Sequence, residues 1–309
     1  MKKINMLLTL ALTLLLLAGC SMQPPEWAKP KKAATTGEMT IGLSISTLNN
    51  PFFVSLKDGV AAEAQKLGMK VIVVDAQNDS AKQSNDVDDL LQQGVDALLI
   101  NPTDSAAISA AVQSANNLDI PVITLDRSAD KGDVKTLVAS DNAKGGRMAA
   151  EYLVKKLGKG AKVIELQGVP GASATRERGK GFHEVADKQL DVIASQAADF
   201  DRTKGLTVME NLLQANPDVQ GVFAHNDEMA LGAIEAIESA GKDIPVVGFD
   251  GNEDAINSIK QGQLTATVAQ QPKLIGQMAV DAARDVLQGK SVASSMPAPL
   301  KIVTKDRAE

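Results

Sequence analysis

The sequence predicts an α/β protein built as two similar lobes, each a three-layer α/β/α sandwich around a mostly parallel sheet. Three observations carry this. Short apolar, β-branched runs alternate with segments whose apolar residues recur three and four apart, the rhythm of strand then helix. Successive strands of the first array lie about 25 to 30 residues apart, the length of a β–α–β unit, which makes them parallel with helical crossovers. The chain has 309 residues, too many for one ordinary core, and the alternation falls into two arrays of similar size.

The first array opens at Met39–Phe53, MTIGLSISTLNNPFF. Its first half predicts a strand over Thr40–Ser46. Asn50 is then placed to cap a helix, and Pro51 suits the first helical position, where its missing N–H would be unpaired anyway. Further strands are expected at Val71–Asp75, Ala97–Asn101, Val122–Asp126 and Leu137–Ser140. Between the first four lie helical stretches at Val54–Leu67, Lys82–Gln93 and Ala106–Asn116, with Gly68 and Gly94 placed as helix stops.

The second array alternates helix and strand from Asn142 onward. Helix Asn142–Leu157 leads to strand Lys162–Leu166, and helix Arg178–Ala186 to strand Asp191–Gln196. Helix Thr203–Ala215 leads to strand Gly221–Ala224, and helix Glu228–Ser239 to strand Pro245–Phe249. Helix Glu253–Lys260 and strand Leu264–Ala269 follow, then a long helix Lys273–Leu287 and a last strand Pro299–Val303. The late helix comes after a strand that already completes the second array, so the chain is expected to cross back. Composition marks no linker between the lobes; the tight step at Ser140–Asp141 implies direct passage from sheet to sheet.

The N-terminus reads as a leader. Lys2 and Lys3 precede the apolar run Met6–Leu17, the charged-then-apolar pattern of a secretory signal. The run is shorter than the roughly 20 residues of a comfortable membrane span. It ends in Leu17-Ala18-Gly19-Cys20, which resembles the lipobox of bacterial lipoproteins. That likeness implies cleavage after residue 19 and a lipid anchor on Cys20. Residues 20–38, rich in Pro, Lys, Ala and Thr, read as a flexible tether containing Trp27, the sole tryptophan.

Composition excludes several classes. The net charge is −6 with both signs interspersed, and no basic block suits a nucleic acid. The single cysteine permits no internal disulfide, and two histidines without cysteine support do not make a structural zinc site. Neither a cofactor nor a metal is called for. The glycines of GVPG, Gly168 and Gly171, lack dinucleotide-fingerprint spacing. No Ser–His–Asp or Cys–His arrangement is suggested, so an enzyme is not expected. A DNA-binding repressor would need a module where the leader stands. Aromatic residues make up only 3% of the chain, so a ring at a strand end is informative.

Several stretches together resemble the periplasmic ribose-binding proteins of bacterial ABC transporters, a branch of the type I substrate-binding fold. They are STLNNPFFVSLKDG (Ser46–Gly59), LLINPTDS (Leu98–Ser105), PVITLDR (Pro121–Arg127), ASDN (Ala139–Asn142), RERGKGF (Arg176–Phe182), ADFDR (Ala198–Arg202), NDEMALGA (Asn226–Ala233), VVGFDG (Val246–Gly251) and ATVAQQP (Ala266–Pro272). The likeness covers about residues 39–305. It implies a three-segment hinge at Ser140–Asp141, Gln270–Gln271 and Pro299. The first lobe would comprise 39–140 and 271–299, and the second 141–270 and 300–309. It also implies a ligand set: Ser46, Asn50, Phe52, Phe53, Asn101, Asp126 and Arg127 from the first lobe, and Arg178, Phe200, Asn226, Phe249 and Asp250 from the second, with Gln270 at a crossing. His225 stands where glutamine is common in the family.

The residue types suit a small polyhydroxy ligand. Carboxylates accept from hydroxyl pairs, guanidinium forks donate, and amides do both, while rings cover the apolar face of a sugar. Taken singly, each has a plainer reading: Asn50 as a helix cap, Asp126–Arg127 as a surface ion pair, the Arg176–Lys180 charges as a solvated helix start, the phenylalanines as core. The expected ligand is D-ribose, or another pentose, allose or a furanosyl autoinducer. Expected partners are a membrane permease with its ATPase, the membrane through the lipid, and a chemoreceptor. The protein is expected to act as an extracytoplasmic monomer at the outer face of the cell membrane, or else in a periplasm.

Overall fold

The computed structural model describes residues 38–307; the leader, Cys20 and Trp27 lie outside the described residues. Two six-stranded sheets organise them. The first contains β1 (Thr40–Ile45), β2 (Lys70–Asp75), β3 (Ala97–Ile100), β4 (Val122–Leu125), β5 (Thr136–Ser140) and β11 (Ser295–Ala298). Its order is β2-β1-β3-β4-β5-β11, and every neighbour pair is parallel. The second contains β6 (Lys162–Gln167), β7 (Asp191–Ala197), β8 (Gly221–Ala224), β9 (Val246–Asp250), β10 (Ala266–Ala269) and β12 (Lys301–Thr304). Its order, β7-β6-β8-β9-β10-β12, repeats the first, except that β12 runs antiparallel to β10. In each sheet the strand order reverses beside the first strand, and in open α/β sheets ligands gather outside the strand ends at such a point.

Local chemistry explains the first helix, α1 (Pro51–Lys66). The Asn50 side chain accepts the Phe52 N–H at 2.9 Å, Pro51 occupies the first position, and the chain leaves the helix at Gly68, whose φ of +66° is costly for a residue with a Cβ. The next helices are α2 (Ser80–Gln92) and α3 (Ser109–Asn117), and these also flank the first sheet. Strands β3 and β4, read ALLI and VITL, are buried along their whole length, as continuous apolar runs covered on both faces should be.

Around the second sheet lie α4 (Asn142–Leu157), α5 (Ser173–Gln189), α6 (Arg202–Ala215), α7 (Asp227–Ser239) and α8 (Glu253–Gln261). The chain leaves the first sheet at Ser140, and α4 packs against α5 and the second sheet. After β10 it returns: α9 (Pro272–Leu287) packs on α1 and on β3–β5. Two glycines permit that return. A Cβ on Gly59 would stand 2.2 Å from the Lys273 carbonyl oxygen, and one on Gly276 would stand 2.4 Å from that of Leu56, so the helices cross backbone to backbone.

Two expectations are corrected. The end of the chain is two strands in two sheets, β11 and β12, with Pro299 and Leu300 between them, rather than one strand Pro299–Val303. Strand β11 carries Pro297 and little alternation; proline is tolerated there because β11 is the edge of its sheet. Helix α5 begins at Ser173, five residues before Arg178, and its N-cap Ala172 supplies no side-chain bond that sequence could flag.

Candidate functional site

A small cavity lies between the lobes. The first lobe lines it with Asn50, Phe52, Phe53, Asp126 and Arg127. The second lines it with Ala174, Arg178, Phe200, Asn226 and Asp250. The strand ends place most of the polar groups. Asn101 follows β3, Asp126 follows β4, Asp250 ends β9, and Asn226 lies just past β8 as the N-cap of α7.

Backbone strain concentrates here. Asp126, Phe200 and Asp250 have φ values of +61°, +60° and +124°. Such values are costly for residues with side chains, most of all for a phenylalanine, and persist where the surroundings hold them for a purpose. Asp126 is turned so that one carboxylate oxygen, Oδ2, meets Asn101 Nδ2 at 3.5 Å and Arg127 Nε at 3.6 Å. Its other oxygen, Oδ1, is buried and has no hydrogen-bond partner in the protein.

Four of the expected ligand residues do not line the cavity. Ser46 and Asn101 stand behind Asp126: Ser46 Oγ donates to Asn101 Oδ1 at 2.6 Å, and Asn101 Nδ2 donates to the Leu125 carbonyl at 3.1 Å. Gln270 stands behind Asp250, donating from Nε2 to Asp250 Oδ1 at 2.8 Å. Phe249 is fully buried in the core of the second lobe, and Arg178 lies over its ring at 3.8 Å from the centroid. It supports the guanidinium and does not face the cavity as a sandwiching ring. Of the rings expected to sandwich the sugar, Phe52, Phe53 and Phe200 remain at the wall. Phe182 and Phe223 are stacked core residues.

Three features of the site lay beyond the sequence. Ala174 lines the cavity without any polar signal, since a methyl group contributes only shape. Asn142 accepts from Arg178 Nε at 2.8 Å and donates to Glu177 at 3.1 Å, so the first residue of α4 also aims an arginine. Asp227 is fully buried and accepts from the Gly251 and Asn252 N–H groups and from Thr267 Oγ1 at 2.7–2.9 Å. It pins the turn that follows Asp250. Burial pushes its carboxyl up to about 7 against these three donors.

The electrostatics follow from burial. Asp126 and Asp250 are both pushed above the usual carboxylate range by desolvation. Arg127, Arg178 and the Asn101 bond pull Asp126 back; Arg178 pulls Asp250 back, while Asp227 pushes it further up. Burial lowers Arg127, and Asp126 opposes the shift. Behind the wall, His225 Nε2 lies 2.9 Å from Glu165 Oε1, both fully buried. Burial drives His225 toward its neutral form. For Glu165, burial raises the carboxyl, but bonds from His225, Ser195 and Gln167 outweigh it and hold it at about 2. A neutral imidazole donating from Nε2 to a carboxylate agrees with both shifts. This pair is structural: the His225 carbonyl in turn accepts from Arg178 Nη1 at 2.6 Å.

Such a wall presents hydrogen-bond donors and acceptors from two sides beside three phenylalanine rings, with no nucleophile–base pair among its residues. Residues 41–291 match the family described as "Periplasmic binding protein domain". The chain is 67% identical over 304 residues to the ribose import binding protein RbsB of Bacillus subtilis, covering 98% of this chain and 99% of that one. It is 57% identical to the Escherichia coli protein of the same name, over 86% of this chain and 90% of that one. Among solved structures, a Caulobacter myo-inositol binding protein bound to myo-inositol superposes with a TM-score of 0.84 at 34% identity, covering 88% of this chain and 95% of its own.

Proposed function

The chain belongs to the periplasmic binding protein family, and on that footing we propose that it captures D-ribose between its two lobes and delivers it to the membrane permease of an ATP-driven importer. The observation that carries the reading is the wall itself. Each lobe brings one buried carboxylate and one arginine, Asp126 with Arg127 and Asp250 with Arg178, to a single small cavity. A pentose presents hydroxyls that both donate and accept, and each buried polar group left unmatched costs about 1–3 kcal/mol. A set divided between lobes is complete only when they close, so the sugar favours the closed form by its greater affinity for it. The closed form then offers the permease a surface made of both lobes.

In this reading the first lobe comprises 39–140 and 271–299, the second 141–270 and 300–309, and the hinge is the three segments between them. Phe52, Phe53 and Phe200 cover the sugar; Asn50 and Asn226 bond to it; Ser46, Asn101, Phe249 and Gln270 act by holding its direct partners. Titration calorimetry of the sugar-free protein tests the ligand. D-ribose should bind at least about 100-fold more tightly than arabinose, xylose or allose, because an inverted or added group strands a buried partner. Equal affinities across the panel would remove ribose as the ligand. Cys20 carries the lipid that holds the receptor at the outer face of the membrane. Cys20→Ser expressed in its host should move the protein out of the membrane fraction, and unchanged fractionation would remove the anchor.

A further inference from the structure

The GVPG glycines fit no phosphate-binding pattern, and neither needs glycine for its backbone, since neither is among the positive-φ residues. Space explains both. A Cβ on Gly168 would lie 2.0 Å from the Phe200 ring, so Gly168 seats that ring flat against the backbone. A Cβ on Gly171 would lie 1.9 Å from Asp104 Oδ2 and 2.7 Å from its Cγ. Asp104 belongs to the other lobe. It cannot swing aside freely, because its Oδ1 accepts the N–H groups of Ala106 and Ala107, each at 2.8 Å.

Around this contact the lobes bond directly to one another. Ser105 N–H donates to the Gly171 carbonyl at 3.0 Å. Ser173 N–H donates to Ser105 Oγ at 3.2 Å, and Ser128 N–H donates to Ser173 Oγ at 2.9 Å. Arg176 adds an ion pair to Asp130 at 3.0 Å, but both side chains are largely exposed, so it contributes little beside the other bonds. The three bonds join the loops after β3 and β4 to the start of α5, next to Arg127 and Ala174. None of the donors or acceptors lines the cavity.

We propose that residues 168–173 form a latch that sets how long the closed receptor holds its sugar, with Gly171 as the positioning residue that lets the lobes meet. The latch rests on the sugar-receptor reading above. Its bonds exist only when the lobes are together, so they add to the closed form and leave the open form and each lobe's folding untouched. They lie outside the cavity wall, so they hold the lobes shut without choosing the ligand.

Stopped-flow binding of D-ribose to the full chain tests this. Gly171→Ala should raise koff by about tenfold or more with kon within about threefold, because the added methyl opposes only the closed state. Its sugar-free urea midpoint should match wild type. Adding Asp104→Ala should restore koff to within about threefold of the Asp104→Ala single variant, since the nearest remaining atom at that position is 3.3 Å away. A wild-type koff in Gly171→Ala, or a defect that persists unchanged in the double variant, overturns the latch. Wild-type protein that binds none of the sugars overturns the receptor reading and takes the latch with it; the two failures are read from different proteins.

Discussion

The two halves of the cavity carry the same chemistry but are held very differently. In the second lobe, Arg178 reaches Asp250 from a remote helix and is fixed on every side. Asn142 takes Nε, the His225 carbonyl takes Nη1, and Phe249 lies beneath the guanidinium, while Gln270 holds Asp250. In the first lobe, Arg127 adjoins Asp126 in the chain. One nitrogen donates to the Pro102 carbonyl at 3.0 Å, and Nε is buried with no hydrogen-bond partner. Its guanidinium is packed between two rings, Phe53 of its own lobe at 5.1 Å and Phe200 of the other at 5.2 Å. The second half is therefore assembled by its own lobe, whereas the first finishes assembling only on closure. A preformed half loses less on ordering its groups, so it is the half that should receive the sugar first.

The largest effect that would break this comparison comes from the carboxylates. Asp250→Ala removes a hydroxyl acceptor and leaves Arg178 and Gln270 facing a gap, which should cost about 3–5 kcal/mol of sugar affinity with the fold intact. Asp126→Ala should cost a comparable amount, because it takes the carboxylate from buried Arg127, which keeps its bond to the Pro102 carbonyl. The kinetics should divide even so. Loss at the preformed half slows capture and speeds release; loss at the other half mainly speeds release. Stopped-flow traces in which both variants change koff alone, and by the same factor, would show that the lobes do not differ in this way.

The same contrast explains what sequence could reveal. The adjacent pair Asp126–Arg127 at a strand end, and Asn50 before Pro51, are local signals, and local signals are legible. The parallel alternation set the two-lobe architecture, because strand and helix periods survive in any window of a dozen residues. Arg178 has no such local signal and stands out only through resemblance, since a charge in RERGKGF looks like any solvated helix start. Its supports, Asn142 and the His225 carbonyl, lie 36 and 47 residues away in sequence, and a carbonyl has no sequence signature at all. The burial of Phe249 is hidden from sequence for a related reason. Alternation along β9 turns its side chain away from its neighbour Asp250, toward the helix layer, and only the packed structure shows Arg178 lying between that ring and the cavity.

A smaller effect sharpens the comparison through protons. Burial holds Asp126 and Asp250 above the usual carboxylate range, so on acidification each binds a proton earlier than an exposed aspartate would. Sugar hydroxyls donating to these oxygens favour the ionised form and lower both values in the complex. Binding must then release protons wherever the pH lies between the free and bound values. Calorimetry at mildly acidic pH values stepped down from neutrality, repeated in buffers of differing ionisation heat, should give binding enthalpies that differ in the sense of proton release, with affinity falling as the pH is lowered. The fraction of a proton released should shrink most in Asp250→Asn, because Asp250 is pushed further up than Asp126. Enthalpies independent of buffer in the wild type would mean that the sugar leaves both carboxylates as it finds them, and the hydroxyl donors would then have to meet the amides instead.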